Sequence, residues 1–329
     1  MAVEDGRGWD FLNWLGHDTS ACIFHRLDDP ADLARAAAVS RSWRQFGTLR
    51  PDPPNFIANE FCKSVCLRIC PEVARFTSAV EVSKSPPGPG ADTSGSSHDA
   101  ERCHRIYSNL CGALVSSKPS VNCILDCIGA SSTDRFPAER MENTLDPREM
   151  VDYRPSYWSS GGQNDPDVPE SLTYRLHSDL CIVDEIKVRP YQGNISDCSV
   201  FLLRRAAYFS SKMVRFRFGH SKLYAGLDWG SNQRVIADEN YVWTYTSPDF
   251  PMRQENVLQS FKLPRPVLCI GGVVKIELLG RTQKAIDDMY YICVCHAQVM
   301  GRSLSPVFMV DISDSADYTI LKYLPSARN

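Results

Sequence analysis

At about Cys123 the hydrophobic period of this chain changes, and that change constrains its fold more than any other feature. Before it, apolar residues recur every three to four positions, the period of an amphipathic helix. After it they alternate. Ser171–Leu176, Val214–Phe218 and Val273–Leu279 each place apolar residues at every second position, and Leu180–Arg189 begins apolar and then alternates. Tyr290–Cys295 is aromatic and β-branched. Many short strands punctuated by Gly, Pro and Asp predict an antiparallel sandwich or barrel. The chain is therefore expected to be α+β and multidomain, a small helical part followed by an antiparallel β-sandwich.

The helical part has its own signals. Asp29 suits an N-cap, Pro30 the first helical position, and Asp32 adds negative charge to the first turn. Leu33, Ala36, Ala37, Ser40 and Trp43 then recur at helical spacing, as do Val39, Trp43 and Phe46. Upstream, Asp18 can cap a second short helix carrying Ile23, Phe24 and Leu27. Residues 18–46 thus read as two short helices joined by an acidic turn. The prolines of residues 51–54 make a loop. Phe56 to Pro71 predicts a further helix with an apolar stripe of Phe56, Ile57, Phe61, Val65, Cys66 and Ile69. Residues 83–99, rich in Ser, Pro and Gly, bury too little apolar surface to offset their ordering cost and predict a flexible insert. A helix is expected again over 102–114, with Ile106, Tyr107, Leu110 and Leu114 on one face.

Composition excludes several classes. The 329 residues are 43% hydrophobic, which is globular, and carry a formal net charge of -3. That charge argues against electrostatic binding of nucleic acid or an anionic membrane. No apolar run approaches the roughly 20 residues that span a bilayer. The acidic start Met1-Ala2-Val3-Glu4-Asp5 is no secretory signal, so the cytoplasm or nucleus is expected. In such a reducing compartment the 13 cysteines are most simply small buried hydrophobes. None forms the paired knuckles of a structural zinc site, and no metal or other cofactor is expected.

Catalytic signals are missing as well. There is no Gly-x-Ser-x-Gly elbow, no Gly-rich phosphate loop before a helix, and no His-Glu-x-x-His among the 7 histidines. Gly271-Gly272 precedes a strand and suits a turn or bulge. Glu170 and Asp184 are the one conceivable acid/base pair, although Asp184 lies on an expected strand. No catalytic residue is assigned.

Two family resemblances fit these readings. Leu15, Ile23, Leu27, Asp32-Leu33 and Val39-Ser40-Arg41-Ser42-Trp43-Arg44 resemble, in order and spacing, an F-box, with Gly16 where the usual proline stands. An ordinary helical hairpin with Trp43 in its core is the plainer alternative. The β region resembles a galactose-binding-like, discoidin-type jelly roll. The residues that carry this are Ala130-Ser131-Ser132, Phe136-Pro137, Met141, Leu145-Asp146, Tyr157-Trp158-Ser159-Ser160, Glu170 to Leu176, and Ile182 to Pro190. The pairing is similar to a small group of plant F-box proteins, as are the strings Ile128–Asp134, Pro155–Ser160 and Gly271–Arg281.

The resemblances imply an organisation and a function. F-box and supporting helix would take residues 9–80, a linker 81–100, a helical connector 101–122, the sandwich 123–312, and a tail 313–329. The chain would be the non-catalytic substrate-recognition subunit of a Skp–cullin–F-box ubiquitin ligase. Leu15, Ile23, Leu27, Leu33, Val39 and Trp43 would meet a Skp-type adaptor or support that contact, and the adaptor would link to a cullin scaffold. The sandwich would recruit an unidentified protein target, with a glycan as a further possible ligand. Jelly rolls of this type usually meet ligands through loops at one end. The candidates are the loop 158–169 with Trp158 and Asp165, the segment 225–234 with Tyr224 and Trp229, and residues 241–245 with Tyr241 and Trp243. Tryptophans placed like Trp158 and Trp243 are, however, more often buried core than ligand platforms. The alternative function is a lectin-like carbohydrate or lipid binder whose F-box-like hairpin is only structural.

Overall fold

The computed structural model of the chain describes residues 14–15, 17–24, 26, 32, 56–82, 95–116, 118–193, 207–222, 237–313 and 318–325. The chain divides into two compact units, residues 1–74, 79–117 and 322–329 in the first and 75–78 with 118–321 in the second.

In the first unit, helix α1 spans His17–Phe24, α2 Phe56–Ile69 and α3 Gly95–Leu114. Helices α2 and α3 pack against each other. Their shared face holds Cys62, Val65, Cys66 and Ile69 from α2 and Ile106, Tyr107, Leu110 and Leu114 from α3, all buried. The Cys66 thiol donates to the Tyr107 carbonyl at 3.5 Å. Burial pushes the Cys62 thiol up to about 12, so it stays protonated and packs as a small hydrophobe. Helix α3 begins seven residues before the expected start, inside the segment read as a flexible insert. Once the apolar stripe of residues 106–114 has nucleated the helix, each further turn is cheap to add. Pro86, Pro87 and Pro89 stand upstream, where they oppose continuation.

The second unit is the sandwich. Its eight long strands are β1 (Ile124–Ala130), β2 (Glu170–Leu176), β3 (Leu180–Gly193), β4 (Ser211–Ser221), β5 (Tyr241–Thr246), β6 (Gln259–Ile270), β7 (Val273–Arg281) and β8 (Cys293–Ser303). One sheet has the order β5-β4-β7-β2-β1, and the other runs β6-β3-β8 with the short strand Val121–Asn122 beyond β8. The strand pairs within both sheets are antiparallel. This is the antiparallel sandwich expected from the alternation, and its architecture is consistent with the jelly roll that the resemblance implies. Phe216, Ile276 and Leu172 lie in register across β4, β7 and β2. Phe261, Ile186 and Val299 do the same across β6, β3 and β8. These two rows belong to one continuous buried core. Phe216 and Phe261, from opposite sheets, meet at 5.7 Å between ring centroids.

Two of the crossings between sheets are tight corners, the one from β2 to β3 and the one from β6 to β7. The second corner is Gly271-Gly272, with φ of 90° and 67°, a left-handed pair that side chains with a Cβ disfavour. Two other glycines sit at register shifts. A Cβ on Gly219 would lie 2.0 Å from the Val242 carbonyl oxygen, and one on Gly301 2.2 Å from that of Ile182.

Three expectations shift. Tyr241–Tyr245, read as a ligand loop, belongs to strand β5 at the edge of its sheet. Tyr290–Cys295, read as one strand, is interrupted at Ile292, whose N–H donates to the Ser160 hydroxyl at 3.0 Å instead of a neighbouring strand. Strand β6 carries Pro264 and Pro266, which hid it from a propensity reading. It lies at a sheet edge, and its register with β3 slips between Lys262 and Val267 to accommodate them.

Two buried histidines make the sandwich sensitive to acid. Nδ1–H of His296 on β8 donates to the Thr144 carbonyl at 2.8 Å, and its Nε2 is buried without a partner. Burial lowers the His296 pKa below 6.5. Its contact with the Thr144 carbonyl and the charge of Asp146 oppose the shift, while Arg189 adds to it. Burial lowers that of His220 as well, with Arg75 and Lys222 adding to the effect. Both are therefore neutral in the fold. As pH falls through 6.5, the unfolded chain takes up protons that the folded chain refuses, so stability is complete above that pH and declines below it. Urea midpoints should fall between pH 7.5 and 5.5, and His296→Gln should flatten part of that slope.

Candidate functional site

The motif residues of the β region converge on one buried ion pair. Arg281, the last residue of β7, is fully buried and pairs with Glu170, the first of β2. Its Nε donates to the Val168 carbonyl at 3.2 Å. One terminal nitrogen donates to the Ser160 hydroxyl at 3.0 Å and to the carbonyls of Gly161 and Tyr290 at 3.0 and 2.9 Å. Glu170 also accepts from the hydroxyls of Ser131 and, at 2.8 Å, Ser132. The Ser132 oxygen in turn accepts the Gly161 N–H at 2.9 Å. Three separated pieces, Ser131-Ser132, Ser160-Gly161 and Tyr290, are thereby tied to one guanidinium. A buried charge of this kind is tolerable only when its donors are matched, and this one is. Glu170 is thus a structural anchor. Asp184 on β3 accepts from Ser120 at 2.7 Å, and the two carboxylates belong to different sheets.

Chain neighbours of the pieces that Arg281 ties down, Ser159 and Tyr291 among them, line a cavity of about 350 Å³. It lies at the end of the sandwich opposite the Gly271-Gly272 corner, where β3 ends and β8 begins. Tyr157 and Tyr191 stack on its wall with centroids 4.0 Å apart and rings inclined by 15°. The Tyr157 hydroxyl donates to Glu139 at 2.9 Å, and the Tyr291 hydroxyl to Asp287 at 2.6 Å. Gly162 leaves room for that second hydroxyl, since a Cβ there would sit 2.7 Å from it. The Tyr291 hydroxyl and the Met289 N–H hold the Asp287 carboxyl below its usual range, and the same bond pushes Tyr291 up to about 12. Burial, reinforced by Glu139, raises Tyr157. Asp134 and Arg135, 3.8 Å apart, complete the polar rim.

The residues expected at a ligand site are placed differently. Trp158 is 0% exposed and belongs to the core, its indole N–H donating to the Ser132 carbonyl at 3.1 Å. Its neighbours Tyr157 and Ser159 face the cavity. Asp165 is exposed and accepts the Asp167 N–H at 2.9 Å, closing its own turn. Tyr241 is buried and stacks with half-buried Trp243 at 5.1 Å, and the Arg217 guanidinium lies 4.7 Å from the Trp243 ring. Neither lines the cavity. Tyr224 and Trp229 lie outside the described residues. In the first unit, Leu15 is half-buried and Ile23 on α1 is 38% exposed, while Leu27, Leu33, Val39 and Trp43 lie outside the described residues. No residue motif pointed to Glu139, Tyr191, Asp287 or Tyr291.

Among the described residues, no group of three or more His, Cys, Asp or Glu could hold a metal ion. Nor is any described helix long and apolar enough to cross a membrane. The F-box-like family profile matches residues 17–48. The F-box protein At4g00755 of Arabidopsis thaliana is 41% identical over 327 residues, which cover 96% of this chain and 82% of that protein. The chain belongs to the F-box proteins. This F-box protein joins its N-terminal F-box-like segment to an antiparallel β-sandwich. Among solved structures, the sandwich is similar to the family 32 carbohydrate-binding module of Clostridium perfringens NanJ in complex with galactose. That match has 11% identity and a TM-score of 0.33, covering 53% of this chain and 98% of that one. A second module of this family, from a family 31 glycoside hydrolase of Clostridium perfringens, matches at 13% identity and a TM-score of 0.35, covering 56% and 95%. Neither likeness says what this F-box protein binds.

Proposed function

We propose that this chain is the substrate-recognition subunit of a Skp–cullin–F-box ubiquitin ligase, acting in the cytoplasm or nucleus. The observation that carries the reading is the F-box-like match at residues 17–48 in a chain 41% identical to an F-box protein along nearly its whole length. In this reading the F-box segment binds a Skp-type adaptor joined to a cullin scaffold, and the sandwich recruits a protein target. The chemistry of ubiquitin transfer belongs to other subunits. This chain supplies proximity, which raises the effective concentration of the acceptor lysine. Leu15, Ile23, Leu27, Leu33, Val39 and Trp43 supply the apolar anchors, of which a buried one contributes about 2 kcal/mol or more to an interface.

Co-expression with a plant Skp-type adaptor and size-exclusion chromatography test the reading. The wild-type chain is expected to co-elute with the adaptor, and Leu33→Asp to lose it, because a carboxylate in an apolar contact has no partner. Two folded proteins that elute separately, or co-elution that survives Leu33→Asp, would refute this use of the F-box.

A further inference from the structure

Resting on that receptor reading, we propose that the cavity beside Tyr157 and Tyr191 receives a basic side chain, lysine or arginine, of the target polypeptide. The hydrogen-bonding inventory of the cavity is one-sided. Most hydroxyl and thiol donors are already spent, Tyr157 on Glu139, Tyr291 on Asp287, the Ser159 hydroxyl on the Ser160 carbonyl and the Cys293 thiol on Ser159, which leaves the Tyr191 hydroxyl and Arg135 as donors of the lining. What remains is mostly acceptor capacity, since a carboxylate offers about four lone-pair sites. Glu139 uses one of these on Tyr157, and Asp287 uses two, on Tyr291 and Met289. The Tyr191 hydroxyl accepts as readily as it donates. Arg135 is the one standing cation of the lining, set beside Asp134 and facing three carboxylates in all.

A sugar hydroxyl both donates and accepts, so a sugar site needs donors of its own. An ammonium or guanidinium group only donates, and it matches a cavity with an excess of carboxylates. The stacked tyrosines add π faces, which attract a cation. The occupant is assigned to a polypeptide because a large apolar side chain of the lining, Ile286, is 77% exposed. Residues flanking an inserted basic side chain would cover it, whereas a small cation would leave it wet.

The test uses the full chain and fluorescein-labelled peptide pools whose central residue is Arg, Lys, citrulline or norleucine, with mixed apolar flanks, read by fluorescence anisotropy. Arg and Lys pools are expected to bind, and the two uncharged pools to bind at least about tenfold more weakly. Glu139→Gln and Asp287→Asn should each weaken the Arg pool, with thermal melts confirming that the variants fold. Arg135→Glu should strengthen it, a gain that misfolding does not produce. Pools that bind without regard to charge, an Arg pool displaced by methyl galactoside, or an Arg135→Glu chain that binds basic peptides no better would each overturn the assignment. Adaptor co-elution is scored separately. Intact co-elution with charge-blind pools removes only the cavity assignment. Charge-selective pools with no co-elution remove the ligase reading and leave the basic-peptide site standing.

Discussion

Glu170→Ala is expected to destabilise the sandwich by about 3–5 kcal/mol, read as a drop in the urea midpoint of the second unit. Arg281 is fully buried and keeps its charge as guanidinium groups in proteins do, so removing its carboxylate partner strands a charge away from water. The hydroxyls of Ser131 and Ser132 lose their acceptor in the same step. Glu170→Gln keeps the shape and tests charge alone; it should still destabilise. Replacing both partners with apolar residues, Glu170→Leu with Arg281→Met, should recover part of the loss, because it removes the stranded charge. That recovery is incomplete, since the carbonyls of Gly161, Val168 and Tyr290 lose their donor. A Glu170→Ala change within about 0.5 kcal/mol of wild type would show that the pair is not desolvated in solution.

Trp158→Ala is expected to cost a similar amount, about 3–5 kcal/mol. The indole is wholly buried, and its N–H has a carbonyl partner, so truncation opens a cavity and orphans an acceptor. The expected signature is a lowered melting temperature and urea midpoint. A variant of wild-type stability that had lost only ligand binding would return Trp158 to the role of an exposed stacking residue.

These two residues also illustrate what the sequence could convey. The alternation of Val214, Phe216 and Phe218, and of Val274, Ile276 and Leu278, exposes the inner face of a sheet directly, because a strand has a period of two. Trp158 was legible as more often core than ligand platform, and it is core, although both roles call for a large aromatic. Strand β6 was hidden by prolines that are permissible only because the strand lies at an edge, a fact of tertiary arrangement. Tyr241, Trp243 and Tyr245 do alternate, yet a three-aromatic run at a sheet edge looks the same as a sticky loop. The cavity was the least legible. Its lining comes from separate stretches around residues 134–139, 157–159, 191–193, 209 and 285–293, and none of them has a period that marks a shared surface. The Arg281 cluster lay between these cases: Ser131-Ser132, Ser160, Glu170 and Arg281 stood in family-like strings, but only folding shows that they meet.

The prolines of β6 have a consequence for any encounter with another polypeptide. An edge strand offers unpaired amides that can recruit a foreign strand and seed aggregation. Pro264 and Pro266 have no amide hydrogen to offer, both are exposed, and Lys262 adds an exposed charge just before them. The slipped register at the same place bends the ladder a recruited strand would have to follow. This border of the sandwich is closed to strand exchange by the chemistry of its own backbone, so in the proposed receptor role the chain would meet other polypeptides through side chains without fusing its sheet to theirs.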